Sequence, residues 1–346
     1  MDSFFGCYQG ASLFAFPMDV ERKSNVMKEP SPDATPSFQY TFKEKLSLFL
    51  PMLRQWSLPR RNLFAGPFAG EFGWELMQWQ GFVRARRPHY EQVHVLTYPG
   101  RDYLYEGCNI HYHDVDLKSA GYGYGRFSRS EARATARARA AAIGLTNFDI
   151  FEPSLLCTRY HKAIWGQNFR LFTESPVRAQ PYDVVFHFRA VLKAGPDQNK
   201  NYPTESADEL AKRCRDHGMS IACIGHPEYS HAPADCDDYR DVDLRKTVAA
   251  ICSAHSVAGE NSGPMHLANL CGKPTIIWAN DQWRVDYSLR WNPFRVPIFV
   301  AANNTHHPPS ESIFEAIKRS LRELSEMTAE FVRPCYKLPP RQIAGY

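Results

Sequence analysis

The sequence lacks the features that mark several classes of protein. Its nine cysteines form no Cys-x-x-Cys pair and are odd in number, which argues against a zinc ribbon and a disulfide framework. No run of about 18 apolar residues occurs, so no transmembrane helix is predicted. The first basic residue is Arg22, so the amino terminus does not resemble a secretory signal. We therefore expect a cytoplasmic protein with reduced, mostly buried thiols.

Strong charge is also missing. The formal net charge is only +4 over 346 residues, without the concentration of basic residues that nucleic-acid binders carry, so no nucleic-acid partner is predicted. A mild positive charge is compatible with an anionic small molecule. The 44% hydrophobic and 13% aromatic residues are typical of a globular protein long enough for two domains.

Proline and serine mark the predicted domain limits. Residues 1–40 include "KEPSPDATPS" and are expected to be disordered or a tether. An acceptor-binding α/β domain is predicted over 41–180, a nucleotide-sugar-binding α/β domain over 181–330, and a tail over 331–346. Within the first domain, residues 42–61 mix apolar and basic side chains with Trp56. A helix packed on the domain is favoured there, and peripheral contact with an anionic membrane is the alternative.

Alternating strand and helix patterns predict the fold class. Residues 62–100 read as strand, glycine-rich loop, helix and strand, and residues 128–145 as a helix. From residue 182 the order is β-α-β-α-β-α-β, which is typical of a parallel sheet covered by helices. We predict an α/β protein with two Rossmann-like domains facing a cleft. Ligands of such sheets bind beyond the carboxyl ends of the strands.

A polar turn precedes the apolar helix predicted over 263–272. Asn261 and Ser262 occupy N-cap-like positions, Gly263 permits close backbone approach, and Pro264 suits the first helical turn. The backbone N–H groups and the helix dipole favour an anion such as phosphate, to which His266 can donate. A capped turn with a packed histidine is the equally open structural interpretation.

Residues 261–278, "NSGPMHLANLCGKPTIIW", resemble the C-terminal signature of glycosyltransferase family 9. These ADP-heptose:lipopolysaccharide heptosyltransferases have the GT-B fold. Their signature is Asp, Ser or Thr, Gly, two variable residues and His, with a later Gly-x-Pro before an apolar strand. Asn261 stands where the family has Asp. The resemblance implies that this turn binds the diphosphate of a nucleotide-sugar donor. Its binding residues are then Asn261, Ser262, Gly263, Met265 and His266.

Basic residues after the strand at 182–189 extend this prediction. Arg189, Lys193 and Lys200 lie in a loop at the carboxyl end of that strand, which suits a diphosphate, although basic loops are usually solvated. "KNYP", residues 200–203, resembles the family's diphosphate-binding lysine element. By the same resemblance Glu228, after the next strand, is expected near the nucleoside.

An acidic loop follows the first strand in "AGEFGWELMQWQ", residues 69–80. Glycosyl transfer with inversion needs a base for the acceptor hydroxyl. The family has an Asp after a Gly in its first loop, and Gly70-Glu71 fills a similar place. Glu75 lies four residues on, so it can share a helical face with Glu71. Two carboxylates near one another raise one of the two pKa values, as a base requires. Both are catalytic candidates, and a capped helix start is the structural alternative.

These observations predict a glycosyltransferase that moves a sugar from a nucleotide-diphosphate donor to a hydroxyl of a glycan, a lipid-linked saccharide or a small molecule. The resemblance implies inversion without a metal or other cofactor. Histidines and aspartates in "GCNIHYHDVD", residues 107–116, read more simply as an edge strand than as a metal site. The alternatives are another GT-B-fold enzyme, such as a sugar-nucleotide epimerase or pyruvyl transferase, and a non-catalytic nucleotide-sugar-binding protein.

Overall fold

Two parallel sheets organise the part of the chain that can be described. A computed structural model describes residues 62–116, 127–153, 172, 182–191, 200–280, 292, 296–302 and 304–326. The expectations for residues 1–40, for the segment 42–61, for Lys193 and for the tail 331–346 fall outside these residues.

The first sheet has the strand order β3-β2-β1-β4, and all its strands are parallel. Its strands are β1 (Asn62–Ala65), β2 (Gln92–Thr97), β3 (Asn109–Tyr112) and β4 (Phe148–Phe151). Its helices are α1 (Phe72–Trp74), a π-helical stretch (Glu75–Trp79), α2 (Gln80–Arg86) and α3 (Arg129–Ala142), with 3-10 turns at Arg87–His89 and Asp102–Tyr105. A capping box between Ser128 and Glu131 begins α3, which was predicted over 128–145.

The second sheet has the order β11-β10-β9-β5-β6-β8, with the short β7 antiparallel to β5. Its strands are β5 (Tyr182–Arg189), β6 (Ile221–Ile224), β7 (Ser230–His231), β8 (Asp237–Tyr239), β9 (Ala254–Glu260), β10 (Thr275–Trp278) and β11 (Ile298–Ala302). Its helices are α4 (Thr204–Asp216), α5 (Leu244–Ser253), α6 (Gly263–Leu270) and α7 (Ser310–Glu326). The predicted alternation from residue 182 is confirmed, and so is the α/β class with two Rossmann-like units.

Apolar side chains from both sheets form one continuous core cluster. It includes Leu63 and Val95 from the first sheet together with Val185, Val257 and Leu267 around the second. All described residues also fall within one compact unit. The predicted boundary at 180/181 separates β4 from β5 along the chain, but the apolar core continues across it.

None of the helices in the described ranges is long and apolar enough to cross a bilayer.

The direction of the strands positions the candidate site. Glu260 ends β9, Arg189 ends β5, and Ala65 ends β1 just before the acidic loop. Each predicted site segment therefore follows the carboxyl end of a parallel strand, where ligands of such sheets bind.

Candidate functional site

The turn of residues 260–266 joins β9 to α6 and has the predicted backbone. Ser262 is the N-cap of α6, in an extended conformation, and Pro264 lies in the first turn. The side chain of Ser262 does not cap the helix. Its Oγ lies 3.1 Å from Nδ1 of His187 on β5, so the hydroxyl is committed to the neighbouring strand.

The backbone N–H groups of this turn are less available than the sequence suggested. The carbonyl oxygen of Ser262 accepts hydrogen bonds from the N–H groups of Met265, at 3.1 Å, and His266, at 3.2 Å. Pro264 has no N–H, so Gly263 supplies the remaining one in the first turn. An anion at this helix end would therefore meet one backbone donor of α6 directly and would rely on side chains for the others.

Both buried histidines at this turn are neutral at pH 7. Burial lowers the pKa of His266 to about 4. Burial, and secondarily the charge of Arg189, lowers the pKa of His187 to about 3. A neutral imidazole supplies a hydrogen bond but no charge, so the predicted donation from His266 to an anion would be that of an uncharged group. Positive charge must come from arginine and lysine.

Basic residues are brought together at the carboxyl end of β5. Arg189 is the last residue of that strand, and its carbonyl oxygen accepts a hydrogen bond from Tyr202 at 3.1 Å. The side chain of Asn201 bonds both the N–H and the carbonyl oxygen of Val191, at 3.0 and 2.8 Å. These bonds tie the residues after Lys200 to the strand end. Arg189 and Lys200, both half-buried, therefore flank one end of the second sheet.

Glu228 lies in an exposed turn after β6. Its N–H donates to Nδ1 of His226 at 3.2 Å. The next residue, Tyr229, accepts a hydrogen bond at its carbonyl oxygen from Ala190 at 2.9 Å, just beyond β5. The turn of Glu228 therefore neighbours the strand end that carries Arg189, and its role towards a nucleoside stays a prediction.

The loop of residues 70–75, after β1, meets the 260–266 turn directly. A Cβ added to Gly73 would lie 3.4 Å from Cδ2 of His266 and 3.5 Å from Cα of Gly263. A Cβ added to Gly263 would lie only 3.0 Å from Cδ1 of Phe72 and 3.1 Å from the Gly73 nitrogen. Gly263 thus permits the close approach that its place in the sequence predicted. The two predicted site segments, about 190 residues apart, are in van der Waals contact.

The two carboxylates of the 70–75 loop have different surroundings. Glu71 is exposed at the N-cap of α1, and its side chain forms no capping hydrogen bond. Glu75 is 0% exposed. Its Oε1 accepts hydrogen bonds from Thr97 Oγ1 at 2.6 Å and Tyr105 OH at 2.8 Å, and its Oε2 lies 3.6 Å from Arg101 Nε.

This burial argues against Glu75 as a general base. Burial raises the pKa of Glu75, while Arg101 and the two hydroxyls oppose the rise. The expectation that the two neighbouring carboxylates raise one pKa is not met at Glu75, because burial is the main cause of its rise and Glu71 is not among the causes. A fully enclosed carboxyl group has no room for an acceptor hydroxyl. Glu71 is the better placed of the two, because it is exposed beside the contact with α6.

A buried pair at the end of β9 was not predicted from the sequence. Oε1 of Glu260 lies 3.2 Å from Nδ1 of His306, and both residues are buried. Burial raises the pKa of Glu260, opposed by His306 and then by Arg189. "THHPP", residues 305–309, carries the signal for His306, but the preceding β11 was not predicted, so nothing placed that loop beside the site.

The histidine-rich strand is an edge strand, as predicted. It is β3, and its His111 Nε2 lies 3.0 Å from Nδ1 of His94 on β2. His113, just beyond β3, contacts the carbonyl oxygen of Phe68 through Nε2 at 2.6 Å. Within the described ranges, no group of three or more His, Cys, Asp or Glu side chains could hold a metal ion.

Comparisons with known proteins give remote likenesses. No protein-family model matches the chain, and no curated protein matches it. Among solved structures, a glycosyltransferase family 9 protein from Veillonella parvula is 14% identical, over 76% of this chain and 98% of its own, with a TM-score of 0.48. ADP-heptose lipopolysaccharide heptosyltransferase II from E. coli is 12% identical, over 77% and 99%, with a TM-score of 0.49.

A third solved structure is the iron-containing dodecameric glycosyltransferase TibC from enterotoxigenic E. coli. It is 14% identical, over 79% of this chain and 82% of its own, with a TM-score of 0.48. The first two structures carry the names of the family that residues 261–278 resemble. At such low identity, and with TM-scores below 0.5, these likenesses assign no activity to this chain.

Proposed function

We propose that this protein is a glycosyltransferase that moves a sugar from a nucleotide-diphosphate donor to a hydroxyl acceptor, with inversion and without a metal. The observation that carries the proposal is the contact between the 70–75 loop and the amino end of α6. It brings an exposed carboxylate, that of Glu71, beside a helix terminus suited to an anion.

The donor's diphosphate occupies the 260–266 turn in this proposal. Gly263 supplies a backbone N–H, neutral His266 supplies a hydrogen bond, and Asn261 and Met265 line the turn. Three basic residues supply the positive charge that the buried histidines do not: Arg189, Lys193 and Lys200. Glu228 takes the nucleoside side. Hydrogen-bond donors and positive charges of this kind stabilise the departing nucleoside diphosphate electrostatically.

The reaction itself needs one base. Glu71 accepts the proton of the acceptor hydroxyl while that oxygen bonds to the anomeric carbon of the donor sugar. The bond from this carbon to the diphosphate oxygen breaks, and the nucleoside diphosphate carries away the electron pair. Attack from the face opposite the leaving group inverts the anomeric carbon.

We further propose a cytoplasmic location, with the segment 42–61 as the place for any peripheral membrane contact.

The binding half is tested by titrating nucleoside diphosphates into the full chain, with and without magnesium, while the melting temperature is followed. A ligand that binds only the folded protein raises that temperature by mass action. We expect one base to give a shift that magnesium does not change and that Lys200→Ala reduces. Lys212→Ala is the control, since Lys212 is exposed on α4 and pairs with Asp216. No shift with any diphosphate would refute the proposed donor site.

The catalytic half is tested with the donor that the first experiment identifies. Glu71→Gln should lower kcat by about 100- to 10,000-fold, the usual contribution of a positioned base, and leave the dissociation constant of the nucleoside diphosphate unchanged. Transfer to a panel of sugar and lipid acceptors is measured. A diphosphate that binds without turnover in the wild type would instead indicate a non-catalytic binding protein.

A further inference from the structure

Arg101 follows β2 and is fixed on a buried carboxyl group. Its Nε lies 3.6 Å from Oε2 of Glu75, and its side chain is 17% exposed. The other oxygen of Glu75 accepts hydrogen bonds from Thr97, the last residue of β2, and from Tyr105. Both hydroxyl donors flank Arg101 along the chain, so the end of β2 and the turn after it hold the carboxyl group that orients the guanidinium.

The same guanidinium lies against the ring of Phe72. Cζ of Arg101 is 3.8 Å from the ring centroid, which is within the range of a cation–π interaction. Phe72 directly follows Glu71, and its ring is also the closest neighbour of Gly263, where an added Cβ would lie 3.0 Å from Cδ1. Phe72 therefore touches Arg101 on the first sheet's side and the amino end of α6 on the other.

A second contact of the same turn reaches the second sheet's helices. Cζ of Arg245, on α5, lies 4.4 Å from the ring centroid of Tyr103. Tyr103 and Tyr105 lie in one 3-10 turn, so the segment that carries Arg101 is held from both units. Because this segment is held on both sides, Arg101 has the rigid support that it needs to fix the position of another side chain.

We propose that Arg101 is a positioning residue that, acting through Phe72, fixes the separation between Glu71 and the amino end of α6. Its catalytic consequence rests on the proposed function, in which Glu71 is the base and α6 holds the diphosphate. Misplacement of a reacting group by about 1 Å can cost about 100-fold in rate. A loop with an exposed carboxylate therefore needs a support, and Arg101 supplies one through Phe72.

A simpler role for Arg101 is to balance the charge of buried Glu75. The two roles differ in whether Phe72 transmits the effect. Hydrogen exchange on the full chain separates them, because four amides report on the two segments. Trp74 and Glu75 donate to the carbonyl oxygen of Glu71, and Met265 and His266 donate to that of Ser262.

In Arg101→Met we expect these four amides to exchange at least tenfold faster, while those of β5 and α4 stay within twofold of the wild type. Phe72→Ala should give the same increase, and the double variant should add little, since residues acting in series are not additive. Unchanged exchange at Met265 and His266 in Arg101→Met would overturn the proposal. Increases that simply add in the double variant would also overturn it.

Arg101→Met leaves Glu75 without its arginine and can unfold the chain, so a second pair of variants is needed. Glu75→Gln/Arg101→Met removes both charges and should still show faster exchange at the four amides. Arg101→Lys keeps a cation over Phe72 and should restore slow exchange in part. Normal exchange at the four amides in the charge-free double variant would show that Arg101 only balances charge, and would overturn the proposal.

Kinetics then connect the placement to catalysis. We expect Arg101→Met to lower kcat at least tenfold and to change the dissociation constant of the nucleoside diphosphate less than threefold, with partial rescue by Arg101→Lys. An unchanged kcat beside fast exchange would overturn the catalytic part of the proposal. If the wild-type protein binds no nucleoside diphosphate, the proposed function fails, and the exchange experiment still decides the role of Arg101.

Discussion

The two halves of the candidate site bury their polar groups in different ways. In the 70–75 loop a carboxyl group, that of Glu75, is enclosed with an arginine and two hydroxyls. At the 260–266 turn Glu260 forms a buried pair with His306, but histidines 187 and 266, beside the amino end of α6, stay uncharged, with pKa values of about 3 and about 4. The first half therefore pairs its buried carboxyl group with an arginine, whereas the second half has two neutral buried histidines at the helix end.

The difference indicates which half is built for rigidity and which for a ligand. A buried charge costs several kcal/mol unless it is paired, so a buried pair holds its surroundings in one arrangement. Neutral donors cost less to bury, and they leave an anion's charge to be met by half-buried Arg189 and Lys200. In the proposed reaction the first half carries the base Glu71, whereas the second half offers hydrogen bonds and nearby positive charge.

The largest test of this contrast compares the two carboxylates of one loop. Glu75→Ala leaves Arg101, whose side chain is only 17% exposed, without its partner and removes the acceptor of two hydroxyls. We expect a loss of about 3–5 kcal/mol in the free energy of unfolding. Glu71→Ala, at an exposed position, should change that free energy by no more than about 0.5 kcal/mol. Urea unfolding measures both, and equal losses in the two variants would remove the distinction.

The next test measures how the free energy of unfolding depends on pH, because the 260–266 turn contains the buried neutral His266. The unfolded chain protonates His266 near 6.5, but the folded protein does so only near 4. Between these values the unfolded state binds the extra proton, so stability is lost as the pH falls, by about 1.4 kcal/mol per pH unit for one histidine. Below about pH 4 both states are protonated and the loss levels off.

His266→Gln removes this titration, so its unfolding free energy should depend less steeply on pH by the same amount. The buried carboxyls Glu75 and Glu260 have raised pKa values and act with the opposite sign, but they are present in both proteins and cancel in the comparison. Urea unfolding at pH 7, 6 and 5 measures the slopes. Parallel curves for the two proteins would mean that His266 is not kept neutral by the fold.

The same two segments show what the sequence could and could not predict. Ser262 as N-cap, Pro264 in the first turn and the close approach at Gly263 are local consequences of residue type, and all three are confirmed. The shared helical face of Glu71 and Glu75 is not. Glu71 is the extended N-cap residue of α1 and is exposed, whereas Glu75 is fully buried, so the two carboxylates face different surroundings.

Strands and partners without a local signature were missed. β8 reads Asp-Asp-Tyr at the edge of the second sheet, and β4 reads Phe-Asp-Ile-Phe with no buried residue. Neither has the apolar alternation that identifies a strand. The contact of Glu260 with His306 joins the end of β9 to a loop 46 residues further along the chain. Tertiary packing alone brings such residues together, and one sequence does not encode it in any local pattern.

The finest test works at the contact between the two halves, where the chain has two neighbouring glycines. A Cβ on Gly263 would lie 3.0 Å from Phe72 and 3.1 Å from the Gly73 backbone nitrogen, which is too close. A Cβ on Gly73 would find its nearest atoms at 3.4 and 3.5 Å, an ordinary van der Waals distance.

We expect Gly263→Ala to lower the free energy of unfolding by about 1–3 kcal/mol through overpacking. Gly73→Ala should lower it by less than about 1 kcal/mol, because the helical preference of alanine offsets any strain. Urea unfolding of the two variants measures the asymmetry. If both cost the same, the halves do not meet as closely at Gly263 as the geometry requires, and the 70–75 loop would lose its fixed position beside α6.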